Sequence, residues 1–320
     1  MIELIEKWQL LESQHSRSGY KTLRFEATGP LEVFLAVDEG ANHSILIYLP
    51  PSYIPQFDAI NNDNIELLFI KKGHFLLIKL LDNDFSSLFD DLVVSLIDSI
   101  RDFSDPINAS KEFVSTYLKW SSFFSKTVER DLSKERVIGL WGELSYLLDL
   151  IRNVSSGSNI DSILKAWVGP YDATHDFELP SSSIEIKTKL ISSSMVKISS
   201  EFQLDNIDGK KLFLTVFSIS ETEHGLSLKD LFLKIKIKIQ KLSGDITLLL
   251  AALEKENLNE ERLSKYSNLL FARKVKEVFD CDIDSFPKIV SSSLPPAIYS
   301  VKYNIDLREL QEYKVSQESY

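Results

Sequence analysis

The sequence predicts two domains of different class: a β-rich N-terminal domain over residues 1–125 that ends in a helical connector, and an α+β or α/β domain over 126–320 built on a mixed sheet flanked by helices. Three observations carry this. The first 80 residues are short apolar runs separated by turn residues. Beyond residue 130, strand-like and helix-like segments are interspersed. Charge divides the same way: residues 1–125 hold 10 basic and 18 acidic groups, net −8, whereas 126–250 hold 16 and 17, net −1, and 251–320 hold 10 and 12, net −2.

The elements follow in chain order. "YKTLRFEA", "LEVFLAVDE", "HSILIYLP", "IELLFIK" and "HFLLIKLL" read as strands of an antiparallel meander or small barrel, the last two joined by a tight turn at Lys72–Gly73. Asp58, Asn61, Asn62, Asp63 and Asn64 form a polar loop. In "FSSLFDDLVVSLIDSIRDF", Leu88, Leu92, Leu96 and Ile100 make one helical stripe. "SKEFVSTYLKWSSFF" is a second helix after the Asp105–Pro106 break, and the domain boundary is expected near residue 125.

"DLSKERVIGLWGELSYLLDLIRN" repeats apolar residues at helical spacing, with Ser133 as its cap. Gly139 and Gly142 sit inside it at a cost of about 1 kcal/mol each relative to alanine, which predicts close packing of this helix on a sheet. "IDSILKAWVG" is a short helix, followed by strands "ATHDFEL", "SSIEIKTK", "MVKIS" and "KLFLTVFSIS"; the last is the most apolar and is expected at the sheet centre. "LSLKDLFLKIKIKIQKL", "DITLLLAALEKEN" and "NEERLSKYSNL" are helices, and "FARKVKEVF" and "AIYSVKYNIDL" are late strands.

Composition excludes several function classes. No apolar run reaches the length of a membrane span, and the N-terminus lacks the basic flank and cleavage site of a secretory signal, so a cytoplasmic protein is expected. The single cysteine, Cys281, precludes intramolecular disulfides and thiolate zinc clusters, and it is expected to be a buried side chain and not a nucleophile. A net charge of −11 argues against non-specific coating of nucleic acid.

The chemistry concentrates in one short region. In "SSSIEIKTK", Ile184 and Ile186 alternate with Glu185 and Lys187. Such a pair is by itself an ordinary solvent face. Nine residues before Glu185 lies Asp176, and residues opposed across paired strands sit about 5 Å apart, close enough for two carboxylates to share a divalent cation. Glu143 supplies a third acid from the preceding helix, and the Ile186 carbonyl is a further oxygen ligand. A hard ion held there would polarise a phosphoryl oxygen and acidify its bound water.

Asp176 followed by Glu185-Ile186-Lys187 resembles the PD-(D/E)XK nuclease pattern. Together with "GLWGELSYLLDL", "AWVGP", "THDFEL" and "IEIKTK", it resembles the PD-(D/E)XK motif proteins of bacterial restriction and phage-defence gene clusters. His175-Asp176 stands where the best-known members have Pro-Asp. The resemblance implies a restriction-endonuclease-like fold. It also implies Glu143, Asp176, Glu185 and Lys187 as catalytic residues, with Glu143, Asp176, Glu185 and the Ile186 carbonyl on Mg2+ or Mn2+. Gln203 and Lys189 are accessory positions, the latter toward a DNA phosphate. The implied activity is metal-dependent DNA endonuclease action on double-stranded DNA, as a homodimer or beside other defence proteins such as a methyltransferase or helicase-like ATPase. Two rivals remain: a catalytically silent, DNA-binding or scaffolding subunit, and a structure-specific repair nuclease. His175 should point away from Asp176 into a packed environment. Lys234, Lys236, Lys238 and Lys241 are a solvated helix face or a phosphate track, and Trp141 and Trp167 are core residues.

Overall fold

The computed structural model describes residues 2–13, 19–25, 29–55, 64–124, 131–206 and 209–320. The chain divides into two units, Met1–Thr127 and Val128–Tyr320. The boundary expected near residue 125, and Asp58 to Asp63 of the polar loop, lie outside the described residues.

The first unit opens with a helix absent from the expectation, α1 (Ile2–Ser13). Its buried Leu4, Trp8 and Leu11 recur at helical spacing. Five strands follow: β1 (Lys21–Phe25), β2 (Val33–Val37), β3 (His43–Tyr48), β4 (Ile65–Ile70) and β5 (Phe75–Leu80), all antiparallel. Their order is β1-β2-β3-β5-β4, so the sheet is neither a simple meander nor a barrel: the final hairpin is inserted with β5 against β3. Its turn contains Gly73 and a left-handed His74 (φ 56°). Helices α2 (Ser86–Ile100) and α3 (Pro106–Ser121) complete the unit. Asp105 caps α3 through the Asn108 N–H, and Pro106 occupies its first turn, so the predicted break is the start of the helix.

The second unit begins with α4 (Lys134–Ile151), capped by Ser133, and α5 (Gly157–Ala166). Strands β6 (Phe177–Glu178), β7 (Ser182–Leu190), β8 (Met195–Ile198) and β9 (Lys211–Leu226) come next, then α6 (Leu228–Lys241), α7 (Ile246–Lys255) and α8 (Glu260–Leu263). Strands β10 (Phe271–Asp280), β11 (Tyr303–Asp306) and β12 (Lys314–Ser319) close the chain. The main sheet has the order β12-β10-β9-β7-β6; β7 and β9 run parallel and the other neighbours antiparallel. The apolar β9 is its central strand, as its composition predicts. β8 leaves the sheet and pairs with β11 as a separate ribbon. That ribbon buries Val196, Ile198 and Ile305 against Leu212, Leu214 and Val216 of β9 and Phe279 and Cys281.

On the opposite face α4 packs against β7 and α6. The approach is set by Gly142: a Cβ there would lie 1.8 Å from Thr188 Oγ1 and 3.4 Å from Ile186 Cγ2. Gly139 meets no such neighbour; its Cβ would come no closer than 3.8 Å to Arg136. Gly142→Ala is therefore expected to cost about 1–3 kcal/mol by overpacking, outweighing the gain of about 1 kcal/mol in helix propensity. Urea unfolding of the variant, alone and with Thr188→Ala, checks this, and the second change should restore most of the loss.

Candidate metal centre

Close packing at Gly142 brings the next residue, Glu143, to the wall of the sheet, where it is 3% exposed. Two donors hold its carboxylate: Arg136 Nη1 at 3.0 Å and the indole Nε1 of Trp167 at 2.9 Å. Arg136 also donates from Nε and Nη2 to Glu256 at the end of α7. Asp176 immediately precedes β6. Its backbone carbonyl accepts the N–H groups of Val168 and Gly169 at 2.9 and 3.0 Å. Its Oδ2 accepts the Ile186 N–H at 2.7 Å.

The β6–β7 register pairs Phe177 with Ile184 and Glu178 with Ser183; continued by one step, it sets Asp176 opposite Glu185. The N–H and C=O of one strand residue point to the same edge. The Ile186 carbonyl therefore faces the Asp176 side, beyond the short β6 and away from β9. Glu185, 1% exposed, places Oε1 2.7 Å from Lys187 Nζ, and that amine donates to Gln203 Oε1 at 3.0 Å. Gly169 closes the arrangement. A Cβ on it would lie 2.8 Å from Asp176 Oδ1 and 3.1 Å from Glu143 Oε2, so these two oxygens lie within about 6 Å of each other and share space that only glycine leaves free.

The carboxyls raise one another's proton affinity. Burial and the charge of Asp176 push Glu143 up to about 8, against the pull of Arg136. Loss of hydration and the charge of Glu185 push Asp176 up to about 8, although the Ile186 N–H favours its anion. Burial pushes Glu185 up to about 7, while Lys187 opposes the shift. Fully ionised, Glu143, Asp176, Glu185 and Glu256 would carry two more charges than Arg136 and Lys187 balance. A polar cleft of ≈ 590 Å³, lined by Arg136, Asp172, Asp176, Glu185, Gln203 and Glu256 among others, opens on the group.

An all-oxygen donor set with excess negative charge suits a hard divalent cation. The present rotamers do not enclose one: among the described residues, no group of three or more His, Cys, Asp or Glu is arranged to hold a metal ion. Arg136, Trp167, Lys187 and the Ile186 N–H each take an oxygen such an ion would need.

Gln203 thus joins the site, whereas Lys189 donates to the Ser193 carbonyl at 2.6 Å, in the turn before β8. His175 is buried between Glu178 (2.9 Å) and the Asp205 carbonyl (3.2 Å), turned from Asp176 as expected. In α6, Lys236 is buried against Glu260 and so is no part of a solvated face or phosphate track, and Lys238 donates to the Arg152 carbonyl at the end of α4. Cys281 is buried and its thiol is pushed up to about 12, which leaves no thiolate. Trp141 and Trp167 are core, but Trp167 also serves the site. Arg136, Trp167, Gly169 and Glu256 are contributors that the strand pattern does not reveal. Arg136 had a signal: it stands seven residues before Glu143, two turns away on the same helix face.

Removing the guanidinium with Arg136→Ala should cost about 1–3 kcal/mol. That is below the 3–5 typical of a fully buried pair, because Arg136 is 37% exposed and Glu143 can take up a proton instead. A denaturation series at pH 7 checks this, and adding Glu256→Gln should recover part of the loss.

No helix among the described residues is long and apolar enough to cross a membrane. Searches of curated proteins and of solved structures give no match. A family profile described as "Putative PD-(D/E)XK family member, (DUF4420)" matches residues 4–308, nearly the whole chain, and the protein belongs to that family.

Proposed function

We propose that this protein is a magnesium- or manganese-dependent DNA endonuclease of a bacterial restriction or anti-phage system. The observation that supports the reading best is the meeting of Asp176, Glu185 and Lys187 across one strand pair, with Glu143 on the adjoining helix, in a polar cleft. Glu143, Asp176, Glu185 and the Ile186 carbonyl would hold the ion, which supplies phosphoryl polarisation and an acidified water. Lys187, released from Glu185, would present its ammonium to the phosphoryl oxygens, with Gln203 orienting it. Arg136, tied to Glu256, keeps Glu143 at the cleft wall. The substrate is double-stranded DNA; cutting both strands calls for a second nuclease site, supplied by a second copy, and a methyltransferase or helicase-like ATPase would act beside it.

One observation favours a second reading, a silent DNA-binding or scaffolding subunit: Arg136 and Lys187 already neutralise two of the carboxylates. Plasmid cleavage separates the two. With Mg2+, wild-type protein should nick or linearise the plasmid, EDTA should stop it, and Lys187→Ala should leave little activity. Equal cleavage by wild type, Lys187→Ala and Asp176→Ala would remove the assigned roles. No cleavage and no calorimetric uptake of millimolar Mg2+ or Mn2+ with DNA present would favour the silent subunit.

A further inference from the structure

The β8–β11 ribbon presents a second surface of definite chemistry. Val196 and Ile198 point into the core, so Lys197 points outward, opposite Asn304 of β11. Lys302, immediately before β11, is exposed as well. Among the described residues neither lysine has a hydrogen-bond or ion-pair partner.

Beside the ribbon, residues 295–300 form a stiffened loop. Pro295 and Pro296 restrict the backbone, the Ile298 N–H returns to the Pro295 carbonyl at 2.9 Å, and Ser300 is left-handed (φ 58°). The loop is held from beneath by Glu201, itself 4% exposed: one carboxylate oxygen accepts the Ser300 N–H at 3.0 Å and the other the Val301 N–H at 2.9 Å. A buried carboxylate is thus committed to the loop, at whose tip Tyr299 is 79% exposed. An aromatic ring on a rigid support loses little freedom when it stacks on a ligand.

The loop is joined to the cleft. Gln203, two residues beyond Glu201, accepts both the Lys187 amine and, at 2.7 Å, the Ser199 N–H from the end of β8. Ribbon, loop and site lysine therefore share one short segment.

We propose that this ribbon and loop receive an unpaired DNA strand beside the cleft, with Tyr299 stacking on a base and Lys197 and Lys302 on phosphates. The inference rests on the nuclease reading for its choice of nucleic acid. An unpaired strand is specified because duplex bases stack on one another and offer no free face, whereas aromatic side chains bind exposed bases regardless of sequence. The lysines add positive charge beside a site whose carboxylates outnumber its cations.

Fluorescence anisotropy on the full chain with Ca2+ in place of Mg2+ tests it, using a labelled blunt duplex and the same duplex with a single-stranded tail. Wild type should prefer the tailed DNA. Tyr299→Ala should weaken that binding about 5- to 150-fold and leave blunt binding unchanged, with Tyr299→Phe close to wild type. The double change Lys197→Gln, Lys302→Gln should lower the salt slope for the tail by about 1.4. Equal affinity for both DNAs, or no effect of Tyr299→Ala, overturns the proposal. Tyr299-dependent tail binding without Mg2+-dependent cleavage would leave this face standing and remove the nuclease reading. Cleavage without any Tyr299 effect would do the reverse.

Discussion

Asp176→Asn is expected to lower DNA cleavage by a factor on the order of 10²–10³, the loss typical of removing one preorganised electrostatic partner, and to stabilise the metal-free protein. The amide oxygen can still accept the Ile186 N–H, so the local fold has no reason to change. What disappears is one of three carboxyls that oppose one another's ionisation. At pH 8.5 the gain should be about 1–2 kcal/mol, which for a unit of this size is about 2–8 °C in Tm. Differential scanning calorimetry in EDTA, beside a cleavage assay in Mg2+, reads both effects. A variant that loses stability as well as activity would mark Asp176 as a structural residue.

The second large effect is on pH. Glu143, Asp176 and Glu185 have folded-state pKa values raised to about 8, about 8 and about 7 from ordinary carboxylate values. The folded chain therefore keeps protons that the unfolded chain has released. Metal-free stability should fall as pH rises from about 4 and level off above about 8. A cation needs the ionised forms, so its affinity should rise through the same window, by up to tenfold per pH unit for each proton displaced, and cleavage should follow. Calorimetry of Mg2+ binding in two buffers of different ionisation enthalpy measures the protons released: one or more at pH 7 and almost none at pH 9. Binding at pH 7 with no proton release would contradict the raised values.

What could be read from the sequence was local. The alternation of Glu185 and Lys187 put both on one side of β7, and the nine-residue spacing to Asp176 suits a tight strand pair. The cost of Gly142 inside a helix pointed to contact with a sheet, and Thr188 is what it touches. Spacing also carried information that the strand-rich reading of the N-terminus passed over: Leu4, Trp8 and Leu11 spell out α1. The rest depends on partners distant in sequence. Glu256 lies 120 residues from the arginine it grips. β8 alternates like any sheet strand, and only its pairing with β11 removes it from the main sheet. Nothing in the β4 and β5 segments says which of them will lie against β3.

Because β6 is only two residues long, β7 has no strand partner on that side from Glu185 onward among the described residues, and the Asp176 side chain takes up the Ile186 N–H instead. Beyond that contact the unpaired strand edge is a template onto which a foreign strand could zip. Two lysines, Lys187 and Lys189, stand along it as gatekeepers against such self-association. Converting both to neutral residues would leave an adhesive margin, and the same stretch of backbone would then favour aggregation at high protein concentration.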